Sequence, residues 1–240
     1  MSDSRHALLF GGTGHVGQAV LRLLVARGVR VTFTYRRKAA AARELAAELG
    51  PRAMPAAIDL RAPAAIRALL GDLLAEPEPP DLFIDCATLG RPIALPEVSD
   101  DLYDEVQSVN VRAAFVACQT LLPAFAARGG GDVVLLTYLD GARPTPMPAH
   151  FALSQTAIIG LGQALAKEYG GRGVRVNLVQ VGPLQDGVAR ELPIPLLADF
   201  ERLSAIGRVG TADEVARAIA FLALENSYLT GQVFPVQGGL

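Results

Sequence analysis

The sequence predicts a doubly wound α/β sandwich: one domain over residues 1–240, with a parallel sheet of about seven strands and helices on both faces. Three observations predict it. Short β-rich apolar runs alternate with longer Ala- and Leu-rich stretches of helical period, which is a β-α-β rhythm. Runs such as DVVLLT at 132–137 are apolar at nearly every position and suit strands covered on both faces. Right-handed crossovers between such strands then place helices on each side of a parallel sheet.

The strand candidates follow in order: ALLF at 7–10, VRVTFTY at 29–35, PAAIDL at 55–60, DLFIDCA at 81–87, GDVVLLTY at 131–138, GVRVNLVQV at 173–181 and GQVFPVQ at 231–237. An amphipathic helix follows the first of them, and others are expected at about 100–128 and 150–170. Two loops are Pro-rich, EPEPPD at 76–81 and GARPTPMP at 141–148, and neither has the composition of an interdomain tether. An irregular segment from Gly182 to about Asp199 contains LPIPL and reads as an apolar flap over a pocket or as a plain surface loop.

The chain of 240 residues is 51% hydrophobic, enough to bury a large core. Its formal net charge of -2 gives no basic footprint for nucleic acid or an anionic membrane. No apolar run long enough to span a bilayer is free of both charge and proline, so no membrane segment is expected. Cys86 and Cys118 sit in apolar surroundings without a CxxC or a histidine at ligand spacing. They read as packing residues in a reducing, cytoplasmic setting, and no metal site is expected.

In ALLFGGTGHVGQAVLRLLVARG, Gly11, Gly12, Gly14 and Gly17 lie between the first strand and the first helix. A turn there needs glycines to bend tightly and approach a pyrophosphate, while free N–H groups at the helix N-terminus hold the negative charge. Dinucleotide binding is the functional expectation; the alternative is a turn that keeps its shape without a ligand. The second strand ends TYRRK. Arg36 and Arg37 offer guanidinium forks for a 2′-phosphate, with no carboxylate expected to compete, so NADP(H) is favoured over NAD. Two solvated arginines at a strand end are the alternative.

The glycine turn, AAIDL with Asp59, SVNVRAAF with Asn110, and GRVGTADEVARAIAFLALENSYLTGQVFPVQGG at the C-terminal end together carry a resemblance. The chain resembles the short-chain dehydrogenase/reductases over essentially its full length, and among them the 3-oxoacyl-acyl-carrier-protein reductases. The resemblance implies a Rossmann-like fold and cofactor contacts at Gly11, Thr13, Gly14, His15, Val16, Gly17, Arg36, Arg37, Asp59, Ala87, Gln155 and Pro183. It also implies a small-molecule or acyl-carrier-protein-bound carbonyl substrate. Homodimers or homotetramers are implied, built through the helices at about 100–128 and 150–170 and the end around 232–240.

Departures from the family pattern fall where it does its work. The family's usual spacing puts a glycine at His15, and its NNAG turn becomes Asp85, Cys86, Ala87, Thr88. The positions of its substrate-orienting serine, proton-donating tyrosine and lysine hold Tyr138, Phe151 and Gln155, while Asn110 is retained. Phenylalanine has no proton to give, and general acid–base assistance is worth ~10²- to 10⁴-fold. The two lysines, Lys38 and Lys167, offer no replacement: Lys167 lies ~18 Å along the helix from position 155.

Tyr138 is the phenol expected in the vacated site, either donating the proton with His150 or water, or merely filling volume. His150, one residue before Phe151, is expected to point roughly 100° away from the catalytic direction. Three functions remain open from the sequence. They are an NADP(H)-dependent oxidoreductase with a non-standard proton donor, a catalytically silent subunit of a hetero-oligomer with a competent reductase, and a non-redox enzyme on the same fold.

Overall fold

The structure, a computed structural model, describes residues 5–138, 147–185 and 194–240, and the side chains of residues 194–197 are outside the description. Seven strands form one sheet in the order β3-β2-β1-β4-β5-β6-β7: β1 (His6–Phe10), β2 (Arg30–Tyr35), β3 (Ala53–Ala57), β4 (Leu82–Asp85), β5 (Gly131–Thr137), β6 (Val174–Val181) and β7 (Val233–Val236). Every pairing is parallel. The expected fold class is the observed one.

Alternation along each strand divides the core in two. Ala7 and Leu9 of β1, Val31 and Phe33 of β2, and Val134 and Leu136 of β5 face α1 (His15–Ala26) and α8 (Ala212–Leu224). Leu8 and Phe10, Phe83, and Val133 and Leu135 face the other way. There they meet α3 (Pro63–Leu74), α5 (Ala113–Ala127) and α6 (Ala149–Tyr169). Phe10 and Phe83 meet edge to face at 5.0 Å, a geometry worth ~1 kcal/mol beyond area burial.

The β3 boundary differs from expectation. The strand begins at Ala53 and stops at Ala57, so Asp59 lies in the turn beyond it and not in a strand. β3 pairs only with β2, and this edge position tolerates Pro55, which has no N–H to donate. The Gly182–Asp199 segment is not irregular throughout. Leu184 forms a bridge with Gly210, and α7 (Ile194–Leu203) starts inside it. The proposed flap and the 141–148 loop fall largely outside the described residues.

From Asp100 to Ala127 the chain is helical without a break: α4 (Asp100–Gln107), a π turn at Ser108–Arg112, then α5. This run is long and apolar enough to cross a membrane by composition. Half of its apolar window is buried, however, and α5 packs on α3, α6 and the sheet, so its hydrophobicity serves the core. α2 (Ala39–Leu49) covers the β2 and β3 edge.

Candidate active site

Because all strands run parallel, the C-terminal ends of β1, β4, β5 and β6 lie along one side of the sheet. The strand order reverses between β1 and β4, and ligands of open α/β sheets bind at that crevice. Gly11 has φ +75°, and a Cβ there would lie 2.8 Å from the Ala87 backbone. At Gly17 a Cβ would stand 2.1 Å from the Gly11 carbonyl oxygen, so the glycine lets helix and turn close on each other. The turn is hung from β2: Gly11 N–H donates to Thr34 Oγ1 at 3.1 Å and Gly12 N–H to the Thr34 carbonyl at 3.0 Å. Thr13 is buried, and Gln18 Nε2 holds its carbonyl at 3.2 Å.

Gly14 caps α1 without a side-chain bond, and no acid occupies the first turn. The amides of His15, Val16 and Gly17 therefore open the helix with positive potential and no internal competitor. A dinucleotide pyrophosphate fits this cradle. Its residues are the glycines at 11, 14 and 17 and the start of α1, and the exposed His15 side chain flanks it.

The surroundings of Arg36 correct one expectation. Carboxylates do compete for Arg36: its Nη1 lies 3.6 Å from Glu105 Oε1 and 3.9 Å from Asp59 Oδ1. Arg37 is exposed and has no acidic partner among the described residues, so it is the free guanidinium of the pair. Asp59 is itself engaged by Arg61, whose Nε donates at 2.9 Å to Oδ1 and whose Nη2 contacts Oδ2. The Arg61 hydrogen bonds, with smaller help from Arg36, hold the Asp59 carboxyl at about 2. A groove of about 380 Å³ borders this network, lined by Arg61, Arg91, Ile93, Asp101, Leu102 and Glu105. It contains none of Tyr138, Phe151 or Gln155.

Beyond the ends of β4 and β5, polar side chains are present but committed to one another. Asn110 sits in the π turn, 3% exposed; its Oδ1 accepts the Leu89 N–H at 2.7 Å and its Nδ2 donates to the Leu89 carbonyl at 3.1 Å. The same Nδ2 donates to Ser154 Oγ at 2.9 Å. Ser154 Oγ also accepts Gln155 Nε2 at 3.1 Å and donates to the Phe151 carbonyl at 2.7 Å. Gln155 Oε1 takes the Tyr138 N–H at 3.1 Å. Both ends of the Gln155 amide are thus spent within the protein.

Phe151 is buried and its ring meets Tyr138 at 6.2 Å between centroids. Burial, with a smaller contribution from Cys86, pushes the Tyr138 phenol above its ordinary pKa, which makes it a weaker acid. No described hydrogen bond joins Tyr138 to His150. His150 is 3% exposed, its carbonyl accepts Gln107 Nε2 at 3.1 Å, and both ring nitrogens lack partners among the described residues. Lys167 is exposed near the far end of α6. Pro183 lies after β6, its carbonyl accepting the Gly210 N–H at 3.1 Å.

The structure brings Tyr138, Asn110, Phe151 and Gln155 together and adds Ser154, which the sequence reading did not single out and which ties them. The Ser154 hydroxyl, next to Gln155 on a buried helix face, was the available signal. Asp85 was also undervalued. It is 4% exposed, its Oδ1 accepts the Ala87 N–H at 2.9 Å, and burial raises its carboxyl to about 7.

A glycine turn and an uncapped helix at the crossover of a seven-stranded parallel sheet define a Rossmann-like α/β protein. The chain belongs to the short-chain dehydrogenase/reductase family: residues 14–240 match the family described as Enoyl-(Acyl carrier protein) reductase. It is 28% identical over 239 residues to the 3-oxoacyl-(acyl-carrier-protein) reductase of Salmonella typhimurium, covering 99% of this chain and 98% of that one. It is 30% identical to (3R)-3-hydroxyacyl-CoA dehydrogenase of Mus musculus, over 98% and 95% of the two chains. Among solved structures, a short chain dehydrogenase/reductase family protein superposes with TM-score 0.88 at 26% identity, covering 98% and 96%.

Proposed function

We propose that this chain is an NADP(H)-binding oxidoreductase of the 3-oxoacyl-acyl-carrier-protein reductase type in which proton delivery, and hence carbonyl reduction, is strongly impaired. The glycine cradle, the acid-free start of α1 and the exposed Arg37, which has no acidic partner among the described residues, support the cofactor reading. When bound, the nicotinamide supplies the hydride; the protein must supply the proton to the developing alkoxide. The observation that carries the impairment is the closed network of Asn110, Ser154, Gln155 and the Tyr138 amide. It holds no ionisable group, and its donors and acceptors already serve each other. Tyr138, weakened as an acid by burial, is a poor substitute because no cation among the described residues stands beside it to favour the phenolate.

The names of the relatives support a 3-oxoacyl thioester, free or carrier-bound, as the substrate class, and we take the enzyme to be a cytoplasmic oligomer. Titration with NADPH, followed by turnover on a short 3-oxoacyl thioester, tests the reading. Binding with turnover ~10²-fold or more below a tyrosine-bearing relative is expected. Absence of binding, or brisk turnover that survives Tyr138→Phe, defeats it. The second reading is a silent subunit: Tyr103, Phe115 and Leu153 stand exposed on α4, α5 and α6, helices through which the family's subunits are expected to pair, with a copy of this chain or with a competent reductase. Co-purification with a competent reductase would establish that role.

A further inference from the structure

Asp85 ends β4 opposite Phe10, the residue immediately before the glycine turn. Its Oδ1 holds the Ala87 amide at 2.9 Å, and the Ala87 backbone is the surface that Gly11 approaches so closely that no Cβ could fit. A carboxylate, a peptide amide and the floor of the anion cradle are therefore in consecutive contact. The groups facing Asp85 give it no counter-charge. Its own turn offers the Cys86 thiol, α5 the Cys118 thiol, β1 Phe10, the glycine turn Gly11, and β5 Leu135, with the Tyr138 phenol beyond Cys86. No guanidinium or ammonium among the described residues contributes to its charge state. Buried without a cation, a carboxyl keeps its proton far above the usual range, here to about 7.

We propose that Asp85 is a positioning residue for the dinucleotide: the anionic ligand seats in the glycine turn when Asp85 is protonated and is disfavoured when Asp85 is charged. The neutral acid presents the same shape as the asparagine that the family pattern expects at this position. The ionised acid places a buried negative charge behind the turn that must receive a pyrophosphate. This inference rests on the dinucleotide reading above and adds to it a pH dependence that the glycine turn alone does not produce.

With a binding-competent fraction set by protonation near neutrality, the apparent Kd for NADPH rises ~tenfold between pH 6 and pH 8. The ligand's own 2′-phosphate titrates near ~6, so the wild-type profile is compared with that of Asp85→Asn and not interpreted alone. NADPH fluorescence titrations from pH 6 to 8.5 should show the wild-type Kd climbing and that of D85N flat apart from the shared phosphate contribution. Calorimetry in buffers of different ionisation enthalpy should show proton uptake on binding at pH 8 by the wild type and none by D85N. Parallel pH profiles in the two proteins overturn the role of Asp85 while leaving dinucleotide binding intact. Absence of binding at every pH in both overturns the dinucleotide reading and this inference with it. If D85N does not fold, wild-type proton uptake decides: none at pH 8 overturns the proposal.

Discussion

At position 151 the difference between phenylalanine and tyrosine is one hydroxyl, yet restoring it alone returns little. A phenol titrates near ~10 and needs a neighbouring cation to work at neutral pH, which Gln155 cannot be. Phe151→Tyr with Gln155→Lys should raise NADPH-dependent reduction of a 3-oxoacyl thioester by ~10²-fold or more, and F151Y alone by much less, as measured by NADPH oxidation. The double variant should also melt lower, because Gln155 Oε1 accepts the Tyr138 N–H and a lysine, having no acceptor, leaves that amide unpaired at ~1–3 kcal/mol. Activity and stability moving in opposite directions separates repaired chemistry from a general improvement in folding. Ser154→Ala tests the other half of the network. With the hydroxyl gone, one N–H each of Asn110 and Gln155 loses its acceptor, and urea denaturation should register a loss of ~1–3 kcal/mol. NADPH affinity should stay within a few-fold, since Ser154 is fully buried.

The elements around the site differ in how far their residues dictated them. The strands were legible because those covered on both faces carry nearly unbroken apolar runs, and the glycine turn because close backbone approach excludes every side chain. The resemblance to the short-chain dehydrogenase/reductases located Tyr138, Phe151 and Gln155, which stand thirteen and four positions apart. What stayed hidden depends on partners distant in sequence. Arg36 meets Glu105 across 69 positions (105 − 36), and no local pattern announces that pair. The π turn at Ser108–Arg112 likewise carries Asn110, whose side chain holds both polar groups of Leu89, 21 positions away. Glycines show the same division between local and distant causes. Gly17→Ala puts a methyl 2.1 Å from the Gly11 carbonyl oxygen and should cost ~3 kcal/mol or more and abolish NADPH binding. At Gly28, with φ +83° and open space around it, alanine should cost only ~1–2 kcal/mol and leave NADPH affinity unchanged. Thermal melts and fluorescence titration of the pair check both halves.

Across the whole molecule, the two edges of the sheet carry titrating groups that act on stability in opposite senses. At the N-terminal edge His6 is buried, with its ring nitrogens at Thr32 Oγ1 (2.9 Å) and the Glu78 carbonyl (3.0 Å). Burial, aided by Arg30, lowers its pKa from 6.5. A depressed histidine gives stability that is complete above 6.5 and is lost as pH falls through the folded value, because the unfolded chain binds the proton first. Asp85, at the C-terminal edge, does the reverse. Its folded value of about 7 exceeds the ordinary 3.8, so its contribution is complete below 3.8 and is lost as pH rises through about 7. Acidification from pH 6.5 to 4 therefore strengthens one edge while it weakens the other, and the wild-type stability profile should be flatter there than either group alone would make it. Asp59, held at about 2, adds a loss only as pH falls below 3.8. Asp85→Asn removes one side of this balance while keeping an oxygen to accept the Ala87 N–H. Its urea midpoint should match the wild type near pH 4 and exceed it progressively up to pH 8. A shift of about three pKa units sets an upper bound of ~4 kcal/mol on that gain. A D85N gain that is the same at pH 4 and pH 8 would mean that Asp85 is already ionised in the folded protein and that the buried edge of the sheet tolerates its charge.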